Sequence, residues 1–176
     1  MGSIFFTTNT QKTLIFLIQF PGKQFIANEI QEKVKLSKGG LNQALRELAK
    51  KGFVNREQRG KVYLYSINNI NPVIKQLKVL SNIELLTPLI NKTSTISEKI
   101  ILFGSSARGE DSYDSDIDIF FLTKEPDKIS EIIKNYKSRR KIQPIIRTSV
   151  NYAGMEKKEP VFFEEISRGI VLWEKK

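Results

Sequence analysis

The 176 residues carry 29 lysines and arginines against 19 acidic residues, a net charge of +10, with 40% apolar residues and neither cysteine nor histidine. That excludes disulfides, thiolate or histidine metal sites and histidine acid–base chemistry. No apolar run approaches the ~20 residues that span a bilayer, and residues 1–6 lack the pattern of a leader, so a cytoplasmic chain without a membrane partner is expected. The charge is uneven: residues 1–70 hold a net +7, residues 71–98 a net +1 and residues 99–176 a net +2. An anionic partner is therefore expected for the N-terminal segment.

In chain order, the apolar residues 13–20 predict a helix closed by Pro21 and Gly22. Residues 25–27 read as extended. Asn28 then suits the cap of a short helix over 29–34, with Ile30 and Val34 on one face. Ser37 opens a helix over 38–51, with Leu41, Leu45 and Leu48 as its buried stripe and Gly52 as its stop. Residues 53–59 and 62–67, joined by Gly60 and Lys61, predict a hairpin with a basic tip.

This order of helix, short strand, two helices and hairpin resembles a winged helix domain. The run from Leu45 to Val54 resembles the end of the recognition helix and the start of the wing in winged helix transcription regulators. The resemblance implies a double-stranded DNA partner. Lys38, Asn42 and Arg46 would face the major groove, and Arg56, Arg59 and Lys61 would touch phosphates. The same module can instead dock a protein or form a dimer; the position of the charge excess favours DNA. Tyr63 and Tyr65 are expected to pack in or beside the hairpin.

A helical stretch starts at Pro72 and carries Ile74, Leu77, Leu80, Ile83, Leu86 and Ile90, with a kink or restart expected at Pro88. Residues 91–98 are polar and read as a loop. The apolar stripe suits a sheet face or the same stripe of a second copy, and a homodimer is the expectation.

The richest segment is residues 102–122. An apolar run to Phe103 turns at Gly104 and Ser105, and Asp116-Ile117-Asp118 opens a second apolar run to Leu122. Side chains alternate along a strand, so the two aspartates point the same way, about 6–7 Å apart along the backbone. Adjacent carboxylates repel, and a divalent cation between them relieves the repulsion. Gly104 allows close backbone approach to a ligand and Ser105 adds a hydroxyl and an N–H, which suits a triphosphate.

Gly104-Ser105-x-Ala107-Arg108-Gly109 followed by Ser115-Asp116-Ile117-Asp118 resembles the signature of the minimal nucleotidyltransferases of the DNA polymerase beta-like superfamily, over about residues 99–176. The resemblance implies that Gly104 and Ser105 hold a nucleoside triphosphate, with ATP the expected one, and that Asp116 and Asp118 hold Mg²⁺ as the catalytic pair. Arg108 either neutralises phosphate or pairs with Glu110 or Asp111. Asp114 is close enough to assist the metal, though a loop aspartate is usually solvated. The acceptor implied is a hydroxyl, on a protein side chain as in toxin–antitoxin pairs or on a small molecule such as an aminoglycoside. One departure stands out. The superfamily's third carboxylate belongs on a later strand, and residues 141–148 contain no acid; Gln143 stands there and cannot act as a base. Glu156, Glu159, Glu164 or Glu165 would have to substitute.

Residues 126–141 predict an amphipathic helix with Ile129, Ile132, Ile133 and Tyr136 inward. Its basic end, residues 137–141, suits either a helix C-terminus or a phosphate contact. A helix ending at Gly169 and a short strand over 170–173 complete the chain, with Phe162, Phe163 and Trp173 expected in the core. The fold class expected is α+β, a winged helix domain over 1–70 and a small mixed-sheet nucleotidyltransferase domain over 99–176, joined by a helical connector over 71–98. The function expected is Mg²⁺-dependent nucleotidyl transfer, or a DNA-binding regulator whose second domain binds nucleotide without chemistry.

Overall fold

The computed structural model describes residues 7–175; the expectation about a leader falls on residues 1–6 and lies outside them. The chain divides into two compact units, residues 1–81 and 82–176.

The first unit runs α1 (Asn9–Ile18), β1 (Phe25–Ile26), α2 (Ala27–Val34), α3 (Lys38–Lys50), β2 (Val54–Arg59) and β3 (Val62–Ile67). α1 begins four residues earlier than its apolar run because Thr8 caps it, accepting the Gln11 N–H while the Gln11 side chain accepts the Thr8 N–H. α2 is not capped by Asn28, which lies inside it; Glu29 turns back to accept the Ile26 N–H at 2.8 Å. Ser37 caps α3 as expected, through the Gly40 N–H. β1, β3 and β2 form an antiparallel sheet in that order, and Arg59 pairs with Val62 across a two-residue turn. Gly60 takes φ +59° there, a value glycine adopts without strain. Leu14, Leu17, Ile30, Leu41, Leu45, Leu48 and Ile67 form the core, with Tyr65 at its edge.

α4 (Pro72–Thr93) contributes to both units: Ile74 belongs to the first core, Leu86 and Leu89 to the second. The stripe thus covers its own chain at these positions, while Leu80 stays exposed. The helix does not restart at Pro88 but runs through it. Fully buried Leu86 and Leu89 flank the exposed proline and hold the helix on its sheet. The loop expected over 91–98 is instead the end of α4, a 3-10 turn (Ser94–Ile96) and the start of β4.

The second unit continues with β4 (Ser97–Leu102), α5 (Gly104–Arg108), β5 (Ile117–Thr123), α6 (Pro126–Lys134), β6 (Ile142–Arg147), α7 (Ser149–Ala153), α8 (Met155–Lys158), α9 (Pro160–Ser167) and β7 (Ile170–Glu174). The mixed sheet has the order β6-β5-β4-β7, with β5 and β6 parallel and the other pairs antiparallel. Alternation divides the side chains between two layers. Ile100, Leu102, Ile117, Ile119 and Phe121 pack with Leu86, Leu89 and Ile129. Ile101, Phe103 and Phe120 pack with Met155 and Ile166 on the other face, beside Phe162 and Phe163. Trp173, expected inside, is partly exposed.

α6 stops at Lys134, seven residues short of the expected end, so the basic run 137–141 is not a helix terminus. It forms the approach to β6.

A proline inside a helix removes one backbone hydrogen bond, here the one to the Glu84 carbonyl. Pro88→Ala is therefore expected to stabilise the second unit by about 1–2 kcal/mol, after the lost rigidity of proline in the unfolded chain is deducted. An unchanged or lowered midpoint in urea would contradict it.

Candidate active site

β4 ends at Leu102, and the chain turns through Phe103 into the short helix α5. The Phe103 N–H still donates to the Asp118 carbonyl at 3.1 Å, so turn and strand β5 are locked together. Gly104 has φ +68°, and a Cβ built on it would lie 2.5 Å from Asp118 Oδ2. The backbone conformation favours glycine, and any Cβ there would also displace the Asp118 carboxylate. Ser105 follows, half-buried, and its carbonyl accepts the Gly109 and Glu110 N–H groups that end the helix.

Asp116 immediately precedes β5 and Asp118 lies within it. Ile117, Ile119 and Phe121 turn to one sheet face, so Asp116 and Asp118 share the other with Phe120, the side covered by α9. Burial raises the Asp118 carboxyl above its ordinary range, and the charges of Asp116 and then Glu165 raise it further; Arg140 and Arg108 act in the opposite direction. Asp116 Oδ2 accepts Lys141 Nζ at 2.8 Å. Gln143 is the β6 residue in register with Asp118.

Sequence reasoning missed Arg140. Its guanidinium is 8% exposed and pairs with Asp111, which is 1% exposed, at 2.5 Å. It also donates to Asn82 Oδ1 at 3.1 Å, to the Ser115 carbonyl at 2.9 and 3.0 Å, to Ser106 Oγ at 3.3 Å and to the Asp116 carbonyl at 3.4 Å. Asn82 completes the ring through the Ser106 carbonyl and Asp111. One cation therefore fixes the loop that carries the chain from α5 to Asp116. The signal was present, since residues 137–141 and Asp111 were both noticed, but no spacing joins them.

Arg108 is exposed and pairs with Glu110 at 3.1 Å and with Glu165 at 3.8 Å, not with Asp111, which Arg140 holds. A cavity of about 410 Å³ is lined by Phe103, Gly104 and Arg108, by Glu164 and Glu165 of α9, and by Arg168 just after it. Of the four glutamates considered as substitutes for the missing strand acid, Glu165 is the one whose charge reaches Asp118. Among the described residues no group of three acids stands close enough to form a metal cage. Asp114 lies exposed in the loop.

The family model described as "Polymerase beta, Nucleotidyltransferase" matches residues 84–176. The chain belongs to this family. The match takes in the second half of α4 and every later element of the chain. No curated protein matches the chain. Among solved structures, a suggested transcriptional regulator of Methanosarcina mazei Go1 is 19% identical, covers 49% of this chain and 78% of its own, and has a TM-score of 0.35. A suggested nucleotidyltransferase of Sulfolobus solfataricus is 19% identical over 57% of this chain and 87% of its own, with a TM-score of 0.40. The archaeal chromatin protein TrmBL2, whose structure is described as showing a novel mode of DNA binding, is 16% identical over 88% of this chain and 70% of its own, at 0.31. With scores this low the three likenesses decide nothing here.

In the first unit, Lys38, Asn42 and Arg46 are all exposed and follow one another at intervals of four along α3. Arg56, Arg59 and Lys61 are exposed on the hairpin. Two of these carry local contacts: the Arg56 guanidinium lies over the Tyr63 ring at 3.6 Å, and Arg59 pairs with Glu57 at 2.8 Å. Among the described residues no helix is long and apolar enough to cross a membrane.

Removing the guanidinium of Arg140 would leave the buried Asp111 carboxylate without its main charge partner. Arg140→Met is expected to destabilise the second unit by about 3–5 kcal/mol. Arg140→Met with Asp111→Leu should recover much of that loss in chemical denaturation. If the double variant unfolds as readily as the single one, the pair is not what holds the loop.

Proposed function

We propose that the chain is a nucleotidyltransferase that also binds double-stranded DNA, working in the cytoplasm. The observation that carries the first half is the approach of Gly104 to Asp118: the backbone offered to a phosphate lies against the carboxylate offered to a metal. The donor set fits a divalent cation. Two carboxylates share a sheet face, Asp118 is raised by burial and then by the charge of Asp116, and an ammonium already stands on Asp116 as a substitute cation. Mg²⁺ bound by Asp116 and Asp118 would supply charge neutralisation for the triphosphate.

The chain's own residues supply position. Gly104 and Ser105 seat the triphosphate, with ATP the expected nucleotide, and Arg108 can leave its exposed pairing with Glu110 for a phosphate oxygen. An acceptor hydroxyl then attacks the α-phosphorus and pyrophosphate leaves. The acceptor is a hydroxyl of a protein or a small molecule.

For the DNA half, the element order and the β1-β3-β2 sheet support a winged helix reading, with α3 as the recognition helix and the hairpin as the wing. The charge excess of residues 1–70 supports DNA over a protein partner.

A second reading keeps both binding activities and removes the chemistry. It is favoured by Gln143, which lies in register with Asp118 and cannot take a proton. On this reading the second unit senses nucleotide and the first acts on DNA.

Calorimetric titration of Mg²⁺–ATP into the wild type and an Asp116→Asn, Asp118→Asn double variant tests the site without knowledge of the acceptor. Heat of binding in the wild type and none in the double variant is expected. Equal heats in both would place the nucleotide elsewhere and end the proposal. For DNA, affinity should fall steeply with salt, and Arg59→Ala with Lys61→Ala should lower the slope of log K against log salt by about two. Salt-independent binding, or none at low salt, would remove the winged helix reading.

A further inference from the structure

Two adjacent cations enter the site, and they are held in opposite ways. Arg140 is buried and locked by its contacts with Asp111, Asn82 and the carbonyls before β5. Lys141 has a fixed backbone, because its carbonyl accepts the Ile117 N–H at 2.9 Å, but a side chain that is 71% exposed. Its ammonium reaches Asp116 Oδ2 at 2.8 Å, and that aspartate is itself 35% exposed.

We propose that Lys141 is a built-in competitor for the divalent-cation seat, its ammonium occupying Asp116 until a divalent cation displaces it. The inference rests on the metal reading of Asp116 and Asp118 given above. Asp116 and Asp118 lie two residues apart on one sheet face, so their negative charges repel each other. A single ammonium on Asp116 relieves that repulsion only in part, since it brings one positive charge. A divalent cation brings two and can take oxygens from both residues.

The exchange is a substitution without proton or electron transfer: the divalent cation enters, the ammonium leaves still protonated, and Asp116 changes partner. An exposed ion pair opposes this weakly, so the competition tunes affinity and does not abolish it. The released ammonium stays tethered at the start of β6, beside the same sheet face. Arg140 cannot take this part, because moving it would unpair Asp111 in the interior.

The test uses the full chain without nucleotide at low ionic strength, with Mn²⁺ alone as the probe and free Mn²⁺ read by electron paramagnetic resonance. Lys141→Met is expected to bind Mn²⁺ about three- to tenfold more tightly than the wild type, the scale of removing an exposed ion pair and a like charge. Lys141→Arg should keep the wild-type affinity, and Asp116→Asn should lose binding in either background. Equal or weaker binding by Lys141→Met, with Asp116→Asn still abolishing it, overturns the competition and leaves the metal seat standing. No Mn²⁺ binding by either the wild type or Lys141→Met overturns both.

Discussion

The second unit depends on a buried charge pair. The loop from Gly109 to Ser115 has to return the chain from α5 to the start of β5 with two aspartates correctly placed, and it has no secondary structure to guide it. Arg140 provides the guide: it holds Asp111 within the loop, the carbonyls of Ser115 and Asp116 at its end, and Asn82 and Ser106 outside it. A guanidinium suits this work because its donors are fixed in one plane and it stays charged at any working pH. A hydrophobic cluster of the same volume could match the stability, but it could not satisfy the loop carbonyls at the same time. The interaction therefore specifies geometry more than it adds stability.

From that anchor the charge arrangement of the site follows. Arg140 fixes the backbone at residue 116, Lys141 sits one residue further along the approach to β6, and the parallel register with β5 places Gln143 beside Asp118. The carboxylates meet three cationic side chains of different burial: Arg140 buried on Asp111, Arg108 exposed and shared between Glu110 and Glu165, and Lys141 exposed on Asp116. Asp118 stays raised all the same, since burial is the first cause and the nearby carboxylates the second. A site in this condition favours a ligand that brings positive charge to Asp118.

Much of this was legible in the sequence because its signals are local. The alternation of Asp116 and Asp118 with Ile117 and Ile119, the Gly104 turn, the Ser37 cap and the Gly60 hairpin each depend on residues close together in the chain. What escaped depends on tertiary contacts. α4 runs through Pro88 because buried leucines on both sides outweigh one lost backbone bond. α6 stops at Lys134, and Arg140 turns into the interior instead of lying on a solvated helix end. The Arg140–Asp111 pair spans 29 positions, and no periodicity reaches so far. Glu165 was one of four equivalent glutamates in the sequence, and only the packing of α9 over the Phe120 face singles it out.

The same geometry separates what the site is equipped to bind from what it is equipped to convert. Binding a triphosphate and a cation needs close backbone, carboxylates and positive charge, and on the proposed reading Gly104, Asp116, Asp118 and Arg108 would provide them within one turn and one strand. Taking a proton from an acceptor hydroxyl needs a base at a defined position, and the strand position beside Asp118 holds an amide. The acid whose charge reaches Asp118 from outside the strands, Glu165, already lies beside Arg108 across the cavity. For Glu165 to serve as a base, it would have to give up its contact with Arg108. Nucleotide binding would draw Arg108 away in just that manner.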